Sequence, residues 1–329
     1  MKLKPILLLF LFVFLASSAH SADFKIQRID HPLLCDRIIY AVAEENGMVV
    51  WATDNRLVVF YKDGSSRTFD SKNSPLIEAA NISAVGICEG SIWVTQINFS
   101  NGYGIFRFDG EKWDVFKDPE KEGILSNRVL KIHVDDDKVV WFGHEFQGAT
   151  RMVEAIPLKF SNTKILHLFR NRLLSIYMQM THLWMGSVNG VVRYRSEIES
   201  NYYLNVDTWK FPEFPAKAAY CITEYLHNRI FVGTDTGLAV FDGKNWQLLK
   251  KKAGIKALPV LHAVNCGNDL WLGSPVGVQC WNEKRPSRLL TKEDGLPGQR
   301  ITAMARNRAG KIFIGTESGA CVIETTDIE

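Results

Sequence analysis

The stretch KIFIGTESGACV, residues 311–322, contains the pattern on which the rest of the chain is built. An apolar pair ending in an aromatic residue is followed by a small residue, a polar turn and a second apolar run. Seven versions of this unit occur, and their aromatic residues are Trp51, Trp93, Trp141, Trp184, Phe231, Trp271 and Phe313. These aromatic residues recur at intervals of 40 to 48 residues.

This period is typical of a four-stranded propeller blade, and no long helical periodicity competes with it. Each unit divides into short apolar runs separated by Gly, Asn and Asp, which predicts four strands, named A to D. In the fifth unit, strand C is Leu238 to Phe241 and strand D is Trp246 to Leu249. The sequence therefore predicts an all-β fold, a seven-bladed β-propeller of four-stranded blades.

The two ends of the repeat region complement each other. The last unit contains strands A, B and C but no strand D, while the run Phe24 to Ile29 belongs to no unit. We expect this run to pair beside Ala320 to Glu324, so that the N-terminal strand joins the last blade and closes the ring. Closure matters because an open ring would expose sheet edges.

Residues 1–21 form a predicted signal peptide, with Lys2 and Lys4, an apolar run and a small-residue cleavage site near Ala22. The alternative is a membrane anchor, but the apolar run, Pro5 to Leu15, is short for a span. We therefore expect residues 22–329 to form a single propeller domain that is periplasmic or secreted from a bacterium, with no membrane span after cleavage.

Charge and cysteine content exclude some functions. Residues 22–329 contain 37 basic and 36 acidic residues, a near balance that does not favour nucleic acid. The six cysteines include no CxxC pair and no metal-ligand cluster, so neither a metal nor a cofactor is predicted. Cys35 follows the closing strand and Cys321 begins the neighbouring one, which makes a Cys35–Cys321 disulfide possible; the alternative is two free thiols.

The later units resemble the two-component regulator propeller repeat. The resemblance depends on DLWLGSPVGV from Asp269, RIFVGTDTGLAVFDGKNW from Arg229 and EDGLPGQRITAMARNRAGKIFIGTESG from Glu293. It extends from about Phe24 to the end, although blades one and two lack the Gly after the aromatic residue. The resemblance implies an exported, stand-alone relative of periplasmic sensor propellers, which bind extracellular ligands, often glycans.

An arginine recurs just before strand A in four units. The turns that precede strand A and the B-to-C turns gather at one end of the ring, called the top face here, where propellers commonly bind ligands. Four guanidinium groups near the top of the channel would favour a carboxylate, sulfate or uronate. The alternative is that each arginine caps a turn or pairs with an acid such as Asp36, Glu293 or Asp294. The four residues are Arg37, Arg128, Arg172 and Arg300.

The B-to-C turn of blade three contains His144 beside Glu145, which is a candidate acid–base pair. Adjacent residues on a tight turn often point apart, and no Ser/His/Asp set or metal triad accompanies them. Phe99, Tyr103 and Phe146 are top-face aromatic residues on which a sugar could stack.

The sequence thus predicts a non-enzymatic exported propeller. It would bind a small anionic or sugar-like ligand, such as an oligosaccharide, or a cell-envelope partner protein, on its top face. The candidate ligand-binding residues are Arg37, Arg128, Arg172, Arg300, His144 and Glu145. A propeller lyase or hydrolase that uses His144 and Glu145 is the alternative. An interaction platform in a cell-envelope assembly would instead show a large exposed apolar patch on the top face or rim.

Overall fold

The computed structural model describes residues 24–325 except 147, 154–155, 161–171, 200–201, 211–212, 227–228 and 285–286. Within this range the chain forms seven sheets of four antiparallel strands each, which confirms the predicted seven-bladed propeller. The predicted signal peptide lies outside the described residues. No helix among the described residues is both long and apolar enough to span a membrane.

The strands of blades one to four follow one another in the chain, after β1, Phe24–Arg28. Blade one contains β2 to β5, Ala41–Glu45, Met48–Ala52, Leu57–Phe60 and Ser66–Phe69. Blade two contains β6 to β9, Asn81–Cys88, Ser91–Ile97, Gly102–Phe108 and Trp113–Phe116. Blade three contains β10 to β13, Val129–Val134, Val140–His144, Gly148–Val153 and Ile156–Phe160. Blade four contains β14 to β17, Leu173–Gln179, His182–Ser187, Gly190–Glu199 and Tyr202–Lys210.

Blades five and six have the same order, and blade seven is completed by β1. Blade five contains β18 to β21, Cys221–Tyr225, Arg229–Gly233, Leu238–Phe241 and Trp246–Leu249. Blade six contains β22 to β25, His262–Cys266, Asp269–Ser274, Gly277–Trp281 and Arg288–Leu290. Blade seven contains β26 to β28, Ile301–Arg306, Ile312–Thr316 and Gly319–Thr325. Two 3-10 helices, Lys251–Ala253 and Lys292–Asp294, follow strand D of blades five and six.

The ring closes as the sequence predicts. Strand β1 pairs antiparallel with β28, from Phe24 opposite Thr325 to Arg28 opposite Cys321. The Arg28 side chain donates to the backbone oxygens of Gly295 and Leu296, at 3.0 and 3.1 Å. The first strand therefore serves as strand D of blade seven and is fixed to the connection that enters this blade.

Aromatic residues of strand B pack neighbouring blades against each other. In β27, Ile314 packs in a cluster with Trp271 of blade six. The preceding residue, Phe313, faces blade one, where its ring lies 6.2 Å from that of Trp51 in an edge-to-face contact. Each sheet is thus buried on both faces, because alternate side chains of a strand point to opposite sides.

The small residue after the aromatic pair has a steric role. In blades three to seven it is glycine, and a Cβ atom there would collide with the following blade. At Gly233 it would lie 2.6 Å from the backbone oxygen of Val260, and at Gly315 it would lie 2.6 Å from Cγ2 of Ile39. Glycine therefore lets the start of the next strand A approach the axis closely. The five residues are Gly143, Gly186, Gly233, Gly273 and Gly315.

We expect Gly233→Ala to lower the free energy of unfolding by about 3 kcal/mol, because the added methyl group meets a backbone oxygen that cannot rotate away. Denaturant unfolding followed by tryptophan fluorescence measures this loss. Gly267→Ala is the control, since its Cβ meets no atom within 4 Å and its φ of 57° costs only about 1 kcal/mol. Equal losses in the two variants would contradict the steric role.

Candidate functional site

A cavity of about 690 Å³ opens at the ring axis on the top face. It is lined by residues at the start of strand A and by B-to-C turns, as the predicted arrangement of the turns requires. Its charged lining residues are Arg128, Lys131, Glu145 and Arg172. Two of the four predicted arginines, together with Glu145, therefore meet in one cavity.

The carboxylate of Glu145 lies between two guanidinium groups. Its Oε2 accepts a hydrogen bond from Nε of Arg128, and its Oε1 is 3.5 Å from Nε of Arg172. Glu145 is only 7% exposed, whereas the side chains of Arg128 and Arg172 are 25% and 56% exposed. The buried acid therefore holds two more accessible cations side by side.

The backbone of the same turn fixes this geometry. The Glu145 N–H donates to the Arg128 oxygen at 2.9 Å, and the Glu145 oxygen accepts from the Leu173 N–H at 3.1 Å. Glu145 thus connects the start of strand A in blade three with that in blade four. Because of this connection, the Glu145 side chain pairs with one arginine of its own blade and with one arginine of the next blade.

Two further cavity residues, Lys131 and His262, were missed from sequence. They line both this cavity and a narrower one of about 140 Å³, which shares the lining residues Leu174, Tyr220 and Leu261 and so continues down the channel. Burial lowers the pKa of Lys131, and the nearby charge of Arg172 lowers it further. Burial, followed by the charges of Lys131 and Arg300, lowers the pKa of His262 to about 3, which leaves its imidazole neutral near pH 7.

The repeat contains a signal that identifies both residues. Lys131 pairs with the signature Gly143, and His262 pairs with the signature Gly273. Ser175, which also lines the channel, pairs with Gly186 in the same way. In blades three to six the strand A residue opposite the signature glycine therefore lines the channel, whereas in blade seven Ala303, opposite Gly315, packs in the core with Trp51.

Arg37 and Arg300 are not among the residues that line the cavity. Both are exposed, in the connections that enter blades one and seven. The backbone oxygen of Arg300 accepts from the Glu317 N–H at 3.2 Å, and its charge contributes to the low pKa of His262. The recurrence of arginine before strand A thus identifies two cavity residues out of four.

His144 does not form an acid–base pair with Glu145. It is fully buried, and its Nε2 lies 2.7 Å from Oγ1 of Thr150, which also accepts from the Leu125 N–H at 3.1 Å. Phe142, on the same face of β11, packs against blade two. The His144 side chain therefore lies between blades two and three, away from the cavity lining.

Blades four to seven share one type of residue at this position. A Ser or Thr hydroxyl there donates to the carbonyl oxygen three residues later and closes the B-to-C turn. These residues are Ser187, Thr234, Ser274 and Thr316. His144 replaces such a hydroxyl residue, and burial lowers its pKa to about 3. Its side-chain hydrogen bond instead connects the end of strand B with Thr150 of strand C.

The predicted disulfide is not formed, and Cys35 and Cys321 are both free thiols. Cys321 is fully buried against blade six, in a cluster with Trp271. Cys35 is exposed, and the preceding Leu34 packs with Ala320 on the opposite face of β28. The two thiols therefore lie on opposite sides of one strand. Burial raises the pKa of Cys321 to about 12.

Among the described residues, no group of three or more His, Cys, Asp or Glu side chains is arranged to hold a metal ion. The cavity is bordered by basic groups, the Glu145 carboxylate, the His262 imidazole, and hydroxyl, amide and apolar groups.

No protein-family model matches the chain, and no curated protein matches it significantly. Its fold is similar to that of solved propellers. A streptogramin B lyase is 12% identical over 92% of this chain and 98% of its own, with a TM-score of 0.67. YCF48, solved with a D1 peptide, is 12% identical over 93% of this chain and 96% of its own, with a TM-score of 0.64.

PorZ, a surface component of the type-IX secretion system of Porphyromonas gingivalis, is 14% identical, with a TM-score of 0.65. The match covers 87% of this chain and 46% of PorZ. At these identities the similarity shows the fold alone. The chain is a seven-bladed propeller, and these comparisons support its similarity to other propellers at the level of the fold.

We expect the stability of the protein to fall on acidification, partly because of His144. Its pKa is about 3 in the folded state and about 6.5 in the unfolded state. Between pH 6.5 and pH 3, His144 is therefore protonated in the unfolded chain but neutral in the folded chain, which favours unfolding. This uptake removes about 2 kcal/mol between pH 7 and pH 5.

The variant His144→Thr has the residue found at this position in blades five and seven. It should lose the part of the pH dependence of unfolding that is due to His144. Denaturant unfolding at pH 7 and pH 5 measures it, and the difference between the two free energies should be about 2 kcal/mol smaller than in the wild type. An unchanged difference would contradict the buried, neutral state of His144.

Proposed function

We propose that this protein is an exported, non-enzymatic binding module whose channel mouth takes a small anionic ligand, such as an organic acid or an acidic sugar. One observation carries the proposal: three basic side chains, Arg128, Lys131 and Arg172, line a single cavity together with one carboxylate, Glu145, which pairs with both arginines. We also propose that residues 1–21 are a signal peptide, that residues 22–329 form one domain, and that its repeats belong to the two-component regulator type.

The arginines retain donors for a ligand. Both contact Glu145 through Nε, and within the described part of the chain the Nη groups of Arg128 and Arg172 donate no hydrogen bond to protein. A guanidinium group binds a carboxylate best through two parallel N–H groups. Two partly exposed guanidinium groups, fixed by one buried acid, therefore form a prepared anion site.

The size and walls of the cavity favour a small organic ligand. Its volume of about 690 Å³ lies within the range of small-molecule sites. Leu130, Leu173, Leu174 and Leu261 provide apolar walls beside the charged groups. Apolar walls with few polar groups are typical of sites that bind a small molecule in one orientation.

The lyase or hydrolase alternative needs His144 and Glu145 in one cleft. The structure separates them, because His144 is buried between blades while Glu145 borders the cavity. Both carboxylate oxygens of Glu145 also contact an arginine, Oε2 with Arg128 and Oε1 with Arg172. The geometry of these residues therefore supports binding better than acid–base catalysis.

We expect Arg172→Ala to weaken binding of the best small anion at least tenfold, because it removes one of the two guanidinium groups. Thermal stabilisation by a panel of mono- and dicarboxylates, sulfate and uronates identifies that anion, since a ligand at 100 times its Kd adds about 2.7 kcal/mol of stability. Titration of the variant with this anion then measures the loss. Arg172 is more than half exposed, so the variant should fold.

Arg308→Ala is the matched control, since Arg308 is an exposed arginine in the A-to-B turn at the opposite end of the ring. It should bind the anion as the wild type does. Equal weakening by Arg308→Ala, or no stabilisation by any anion in the panel, would overturn the proposed site.

A further inference from the structure

Exposed apolar side chains are concentrated on the top face. Six large apolar residues are exposed in the described part of the chain, and five of them lie on loops of the top face. The exception, Met180, lies at the opposite end, in the A-to-B turn of blade four. The five are Ile38, Ile77, Phe99, Phe146 and Val276. The top face is therefore the end of the ring that presents most of these apolar side chains to solvent.

Phe99 is fully exposed at the tip of an ordered turn. The Asn98 side chain accepts from the N–H groups of Ser100 and Asn101, at 3.0 and 2.7 Å, and donates to the Tyr103 hydroxyl at 2.7 Å. The Asn98 N–H also donates to the Asn101 oxygen at 2.8 Å. The turn therefore fixes Phe99 outside the fold, where its 100% exposure gains nothing for stability.

Phe99 borders the cation cluster, and Phe146 lies on the same turn as Glu145. Phe99 lines the same cavity as Arg128, Glu145 and Arg172. Phe146 is 47% exposed and directly follows Glu145 in the chain. Apolar surface and positive charge thus occur together at the channel mouth. An anion alone would satisfy the arginines but would leave the two aromatic rings in water.

The two cavities on the axis differ in volume. The upper cavity has about 690 Å³, and the lower one has about 140 Å³ and is bordered by Lys131, Ile176, Cys221 and His262. The space below the arginines is therefore small, and it favours a chain end over a continuous chain. A terminal carboxylate is the charged group that such an end would bring to the arginines.

We infer that the top face binds the C-terminal segment of another polypeptide. Its terminal carboxylate pairs with Arg128 and Arg172, and bulky apolar side chains next to the terminus pack on Phe99 and Phe146. This inference rests on the proposed anion site and specifies its ligand. Exposed aromatic residues beside a desolvated charge pair are the features of an interface hot spot.

The test uses octapeptide libraries with the mature protein. Each sequence is prepared as a free acid and as a C-terminal amide, and the best binder is titrated by fluorescence anisotropy. We expect the free acids with bulky apolar residues near the end to bind, and their amides to bind at least tenfold more weakly. Phe99→Ala should weaken the best peptide about tenfold or more.

Three further variants make the result decisive. Met180→Ala removes an exposed apolar residue at the opposite end and should not change peptide binding. Arg172→Ala should weaken both the peptide and the small anion, whereas Phe99→Ala and Phe146→Ala should weaken only the peptide. If small anions bind but no free-acid peptide does, or if amides and acids bind equally, the inference is overturned while the anion site stands.

Discussion

The close approach of the innermost strands is the constraint on which this structure depends. The chain at the start of each strand A comes so near the preceding blade that blades three to seven have glycine at the contact. This packing brings turns from different blades together at the axis. Arg128 and Arg172 lie 44 residues apart in the sequence, yet they share Glu145 because the two strands that follow them meet at this contact.

Electrostatics at the channel mouth follow from that convergence. A buried carboxylate is costly unless it is paired, and Glu145 is paired with two guanidinium groups and connected to both strands through its backbone. Lys131 and His262, deeper in the channel, lie in surroundings that disfavour added positive charge, as their lowered pKa values show. The more exposed arginines are therefore the cations best suited to meet a ligand.

The fold could be predicted because it depends on local patterns that repeat, such as the aromatic pair, the glycine and the turn residues. Three of the six candidate residues line the cavity that the structure shows. Arg128, Arg172 and Glu145 were identified as candidates, but their pairing crosses two blades, and sequence does not give distances between turns. His144 was considered as a partner of Glu145, but in the structure it takes the buried position that a hydroxyl residue takes in blades four to seven. Its hydrogen bond to Thr150 depends on the fold and cannot be read from the sequence.

The pairing of β1 with β28 also bears on how the chain folds. Most contacts in the ring are within a blade or between successive blades, but the Arg28–Gly295 hydrogen bond joins residues 267 positions apart. The entropy of closing so long a loop must be overcome in a single event, and non-local contacts of this kind slow folding. The early blades can assemble from neighbouring segments, whereas the final sheet must wait for the two distant ends of the chain to meet.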